Sequence, residues 1–215
     1  MTVSYASARN DSSKKEPSPT LPLMTTTAWT RPADWLSLPV LTSADEKCVA
    51  LLAIFPGDNN AVALTSSSTL TSFTVDWGDG TAPQVFANNA TATHTYDYAT
   101  TSGSPTTRGY KQVIVQIYVS GSTQLQGVNF KKQYNISNNN NANWLEIAIG
   151  CSLFSNLTLN TPTAPYFPLL ESVIYYGAAP GTQSYYLCTG LQSVTFPNGT
   201  PTISSNAYQM FTGCS

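Results

Sequence analysis

"TVDWGDGTAP", residues 74–83, closes an alternating run in which Phe73, Val75 and Trp77 share one face. Such a period of two is that of a half-buried strand, not of a helix. Gly78 and Gly80 permit positive φ, and the Asp79 carboxylate can accept hydrogen bonds from nearby backbone amides. The stretch therefore predicts a strand ending in a tight bend, with Trp77 turned into a core. Two acids beside a tryptophan also raise the question of a metal or catalytic site.

Working outward, the rest of the chain agrees with a β-protein. "CVALLAIFP" (48–56) is a continuous apolar run and reads as a buried strand, and "AVALT" (61–65) as a second. "HTYDY" (94–98) reads as another. "YKQVIVQIYV" (110–119) alternates, with Val113, Val115, Ile117 and Val119 on one face. Only 9% of the 215 residues are charged, and Ser, Thr, Asn and Gln supply the polarity. With 14 Pro, 13 Gly and 12 Tyr, the composition favours strands and loops. The expected fold class is all-β, a sandwich of short strands over 48–134 followed by a second β-structure.

The formal net charge is −2, and basic residues come no denser than a pair, as at Lys131–Lys132, which argues against nucleic acid as a partner. No apolar run approaches the roughly 20 residues that span a bilayer, so no membrane insertion is expected. Residues 1–20 carry no apolar core behind their charges, unlike a secretory signal. Residues 1–28 are polar and Pro-containing, which predicts an extended or disordered arm. Residues 29–47 begin "WTRPADWLSLPVL". Pro32 could open a short helical turn capped by Thr30. Trp29, Arg31 and Trp35 either cover one end of the following domain or anchor the chain in a neighbouring subunit, since Trp and Arg are favoured at binding hot spots.

"WGDGT" followed by "HTY" (94–96) and by Gly109-Tyr110 resembles the PKD domain over roughly residues 48–130. That resemblance implies a seven-stranded immunoglobulin-like sandwich in which Trp77, Gly78, Asp79, Gly80, Thr81, His94 and Tyr96 form a structural turn. It implies an adhesive or spacer module rather than chemistry. The insertion "ATTSGSPTTR" (99–108) departs from the family pattern by lengthening a loop. A Ca²⁺ site needs six to eight oxygens, and Asp76, Asp79 and Asp97 could supply some, but no EF-hand-like loop follows. A hydrolytic carboxylate pair needs a cleft, and nothing marks one. His94, the single histidine, has no Ser, Cys or Asp constellation readable around it. No nucleophile elbow, zinc-protease, P-loop or dinucleotide motif occurs. No catalytic residue, metal or cofactor is expected.

Residues 135–143, "NISNNNNAN", read as an Asn-rich linker. Beyond it four units align: "NANWLEIAI", "CSLFSNLTL", "FPLLESVIY" and "CTGLQSVTF", starting at Asn141, Cys151, Phe167 and Cys188. Their apolar positions are Trp144, Ile147, Ile149; Phe154, Leu157, Leu159; Leu170, Val173, Tyr175; and Leu191, Val194, Phe196. Intervals widen along the chain, and a fifth unit would begin at Cys214. Each unit predicts one short strand stacked on the next. The last, with "LQSVTFP" and "NAYQMFTGC", resembles leucine-rich repeats of the BspA surface-antigen type. That implies a short irregular β-solenoid over 144–215, with Cys151, Cys188 and Cys214 as an inward ladder. Cys48, in an apolar run, reads as a small buried hydrophobe. The cysteines show no close spacing that would mark a redox pair or zinc site. The N-x-[ST] triplets at Asn10, Asn89, Asn135, Asn156 and Asn198 are what a chain of this composition contains by chance.

Together these features predict a non-enzymatic protein. The order "WTRPADWLSLP" then "WGDGT" resembles virion structural proteins of tailed bacteriophages, which implies a tail fibre, head fibre or decoration located in the virion. The implied partners are other virion proteins through the arm, further copies in a homo-oligomer, and a host-surface glycan or protein. Tyr175, Tyr176, Tyr185 and Tyr186 are candidates for that outward binding. A bacterial cell-surface adhesin with the same modules is the alternative.

Overall fold

The computed structural model describes residues 29–69, 71–130, 143–159, 167–178, 182–185 and 188–198. The expected arm (1–28), most of the Asn-rich linker, Tyr186 and Cys214 lie outside them. The described residues form an all-β structure of two sheets, without a helix and without closing into a barrel. The strands are β1 (Lys47–Ile54), β2 (Ala61–Ser68), β3 (Ser72–Asp76), β4 (Gln84–Ala87), β5 (Thr91–Thr95), β6 (Lys111–Tyr118) and β7 (Leu125–Asn129). They continue as β8 (Trp144–Gly150), β9 (Asn156–Thr158), β10 (Ser172–Tyr175), β11 (Thr182–Ser184) and β12 (Ser193–Thr195). None of these strands contains a proline, whose missing amide would break a ladder.

One sheet has seven strands in the order β12-β10-β8-β1-β6-β3-β4, and the other five in the order β11-β9-β7-β2-β5. Both contain strands from either side of the stretch expected to be a linker. β1 pairs antiparallel with β6 on one side and with β8 on the other, while β7 pairs antiparallel with β2 and parallel with β9. A single apolar core fills the space between the sheets. It joins Leu52, Val75, Trp77 and Val115 to Trp144, Ile147, Leu157, Val173 and Tyr185.

After β7 the chain alternates between the sheets. β8, β10 and β12 are parallel neighbours in the larger sheet, and β7, β9 and β11 in the smaller. Of the consecutive units the alignment had predicted to stack, only the third and fourth do so, through β10 and β12. The unit containing β9 packs across the core from the units containing β8 and β10. Its apolar spacing still holds, because all twelve aligned positions lie in or against the shared core.

The spacing of three between Trp144 and Ile147 has a specific cause. The β1–β8 register slips between Leu51 and Leu52, so that Leu51 faces Glu146 and Leu52 faces Trp144. Leu145 is the extra residue of a bulge. The bulge turns Trp144 inward with Ile147 and Ile149, and leaves Leu145 and Glu146 together on the outer face.

That outer face is covered by residues 29–41, which form a strap and not a helix. Pro32 and Trp35 close a single turn through the Trp35 amide and the Pro32 carbonyl, 3.2 Å apart. Trp35, Leu51, Ala53, Tyr110 and Leu145 make one apolar cluster under the strap, and Leu41, Val49 and Ala148 make a second. Across the opposite rim, the Glu46 carboxylate accepts hydrogen bonds from the Leu125 amide, the Ser152 amide and the Ser152 hydroxyl. It thereby ties the entry to β7 in one sheet to the exit from β8 in the other.

Because sheets and core are continuous, the two halves should unfold together. Urea denaturation followed by tryptophan fluorescence and by circular dichroism should give one coincident transition. Trp144→Ala should lower the stability of that whole transition by about 3–5 kcal/mol. Two separated transitions would contradict a shared core.

Candidate functional site

The bend at 76–81 is built from both sheets. β3 carries Trp77 to its end, fully buried, and the indole N–H donates to Gln84 Oε1 at 2.8 Å. Its ring stacks on His94 of β5, with centroids 5.0 Å apart and planes at 11°. His94 in turn meets the Tyr96 ring edge-on at 4.6 Å. The Tyr96 hydroxyl returns to the start of the bend, donating to the Trp77 carbonyl at 2.8 Å. Burial, with smaller contributions from Asp79 and Asp76, pushes the Tyr96 phenol well above its ordinary range, so this donor stays protonated.

The acids serve the same bend. Asp76 Oδ1 accepts the Gly78 amide at 2.9 Å. Asp79 Oδ1 accepts the Thr81 amide at 3.0 Å and the Thr81 hydroxyl at 2.7 Å, and Oδ2 lies 2.7 Å from His94 Nε2. Asp97 accepts the Ala99 amide at 2.9 Å in a turn of its own. Among the described residues no three His, Cys, Asp or Glu side chains are grouped as a metal site would require. Gly78 has φ +74°, and a Cβ there would lie 2.1 Å from the Ile114 carbonyl oxygen. Gly80, at φ +90°, has open space around it.

The second polar cluster lies under the strap. Arg31 donates through Nε to Glu146 Oε2 at 2.9 Å, with Nη2 2.8 Å from the same oxygen, and its remaining bonds reach the Trp35 and Leu36 carbonyls. Trp35 Nε1 donates to the Tyr110 hydroxyl at 2.9 Å. Trp29 Nε1 donates to Glu171 Oε2 at 3.1 Å, and Arg108 pairs with the other oxygen of Glu171 while lying over the Trp35 ring. The loop 99–108 reaches the strap again where Thr107 donates through its amide and hydroxyl to Asp34, both at 2.8 Å. Trp29, Arg31 and Trp35, expected at an end of the domain or in a neighbouring subunit, thus find their partners across the outer face of their own sheet. Beside the strap runs an open groove of about 800 Å³, bordered by the exposed Leu36 and Val40 and by Gln112 and Gln116 of β6.

The tyrosine expectations need correction. Tyr175 and Tyr185 are not at the surface. They are 1% and 0% exposed, and their hydroxyls meet at 2.9 Å inside the core. Alternation along β10 turns Tyr175 inward and puts Tyr176 on the outer face, half-buried. Cys48, Cys151 and Cys188 are buried and form no disulfide, and burial raises the thiols of Cys48 and Cys151 far above their ordinary value. No helix among the described residues is long and apolar enough to cross a membrane.

Sequence reasoning did not single out Glu46, Arg108, Glu146 or Glu171. For Glu146 a signal existed: a lone acid inside the apolar "WLEIAI", in a chain whose Trp-rich stretch carries a lone arginine. Compared with known proteins, the chain matches no family model, no curated protein and no solved structure.

Two predictions follow from the bend. Gly80→Ala should cost only the left-handed conformation, about 1–2 kcal/mol. Gly78→Ala adds a clash with backbone and should cost at least about 1–3 kcal/mol more, read as a shift in the urea midpoint. The second concerns acid. Burial pushes the Asp79 carboxyl up, but the Thr81 hydroxyl, the Thr81 amide and His94 outweigh it and hold the carboxyl below its ordinary value. Its stabilising contribution is therefore present above the unfolded-state pKa and lost as pH falls through the folded value. Stability measured between pH 5 and 2 should fall less steeply in Asp79→Asn than in the parent.

Proposed function

We propose that this chain is a non-enzymatic structural component of a tailed bacteriophage particle, a tail fibre, head fibre or decoration, that presents β-modules outward. The observation that carries the non-enzymatic part is the use of the acids in the bend. Asp76 and Asp79 bond the chain's own amides, hydroxyl and imidazole, as a structural turn requires. The closed Trp77–His94–Tyr96 network supports a PKD-like, immunoglobulin-like module at 48–134. The parallel strands and the core positions of the repeated spacing support a BspA-like leucine-rich-repeat continuation. The particle assignment draws on the polar, weakly charged composition and on the resemblance of "WTRPADWLSLP" and "WGDGT" to virion proteins. In this proposal residues 1–28 bind other virion proteins, the chain forms a homo-oligomer, and the exposed face meets a host-surface glycan or protein.

Mass spectrometry of gradient-purified virions should find this chain in stoichiometric amount. Its recovery only in a bacterial envelope fraction would favour a cell-surface adhesin instead, and polysaccharide turnover by the isolated chain would overturn the non-enzymatic assignment.

A further inference from the structure

Where the strap crosses from β8 toward β10 it leaves a second, smaller pocket of about 240 Å³, lined by Arg31, Ser37, Leu38, Glu146, Ile174 and Tyr176. Three elements meet there. The strap brings Arg31, Ser37 and Leu38, the outer face of β8 brings Glu146, and β10 with the residue after it brings Ile174 and Tyr176. We propose that this pocket binds one neutral pyranose ring, as the terminal or branching sugar of a surface glycan.

The polar groups make the first argument. Glu146 is 2% exposed, and both Arg31 contacts fall on its Oε2. Among the described residues its Oε1 has no hydrogen-bond partner, and a buried acceptor left so is costly unless a donor reaches it. Around it stand the Ser37 hydroxyl and the Tyr176 phenol, neither bonded to another described group, each able to donate and to accept. Tyr176 is held by its backbone alone, through its amide to Ile149 and its carbonyl to Asn198. Adjacent sugar hydroxyls supply the matching set: one donates to the carboxylate while its neighbour exchanges hydrogen bonds with Ser37 or Tyr176.

Charge and shape narrow the ligand. Arg31 already neutralises Glu146, so neither an ammonium nor a phosphate would find an uncompensated charge. Leu38, Ile174 and the Tyr176 ring offer an apolar wall suited to the C–H face of a pyranose. The volume lies below the roughly 300–1,000 Å³ of pockets for drug-sized ligands. It suits a single ring, and the pocket is open at the surface for the glycan to continue.

The inference goes beyond the particle assignment and does not depend on it, since virion mass spectrometry and sugar binding can fail separately. The test is saturation-transfer NMR on the full chain with methyl α-glucopyranoside, methyl β-galactopyranoside, methyl α-mannopyranoside and N-acetylglucosamine at millimolar concentration. At least one should receive saturation on its ring protons. Ser37→Ala, at an exposed position, and Tyr176→Ala, at a half-buried one on the outer face, should keep the parent far-UV spectrum. They should weaken binding, Tyr176→Ala by at least about tenfold. Glu146→Gln should abolish the preference among the four sugars, and if that variant does not fold the two surface variants decide alone. No transfer to any of the four sugars, or transfer unchanged in both surface variants, would overturn the proposal.

Discussion

Strand β1 has apolar residues on both faces and no exposed one from Cys48 to Ile54. That constraint organises the molecule. Cys48, Ala50, Leu52 and Ile54 point into the space between the sheets, while Val49, Leu51 and Ala53 point away from it. An antiparallel sheet can leave one face to water when that face is polar. Here it is not, so something other than the second sheet must cover it. The strap does so with Trp35, Leu38 and Leu41. The loop 99–108 reaches over with Thr107 and Arg108 to hold the strap down. The loop and the strap are thus two parts of one solution to the same exposed face.

The same strand decides how the sheets grow. Its edges are taken by β6 and β8, so that β10 and β12 extend the first sheet beyond β8, while β9 and β11 extend the second beyond β7. Once β8 is placed, each later crossing adds a strand parallel to its predecessor in whichever sheet it joins. Parallel strands need long connections. Between parallel neighbours of the larger sheet the chain here passes through a strand of the smaller one, β9 between β8 and β10 and β11 between β10 and β12.

Much of this was legible in the sequence, in places where local pattern and burial coincide. The uninterrupted run at 48–54, the alternation at 111–118 and the bend after Trp77 were all readable, because side chain and backbone point to the same answer there. The repeated spacing marked core positions correctly. It did not reveal which sheet each unit joins, since an inward residue looks the same from either side of a core. β4 and β7 escaped notice for a related reason. β4 is an exposed edge strand with only Phe86 packed inward, and β7 is interrupted by Gly127. Tyr175 stood among the repeat's apolar positions and also, with Tyr185, among the candidates for outward contact, because tyrosine offers large contact area. Their hydroxyls share a hydrogen bond inside the core, a pairing that composition cannot disclose.

The strap also explains how a chain with so few charges uses them. An apolar segment lying on an apolar face has little to fix its register, because neighbouring placements bury similar area. Arg31 on Glu146, Trp29 on Glu171 and the Trp35 indole on Tyr110 admit one placement. A buried ion pair adds little net stability once desolvation is counted, and its best-attested use is to select one arrangement among competitors. Glu146 faces the strap by plain alternation with Ile147; what the bulge at Leu145 changes is Trp144, which an uninterrupted register would place outward beside the acid and out of the core. The bulge therefore fills the interior with an indole and leaves the outer face around the acid to Leu145 and to the strap's single arginine.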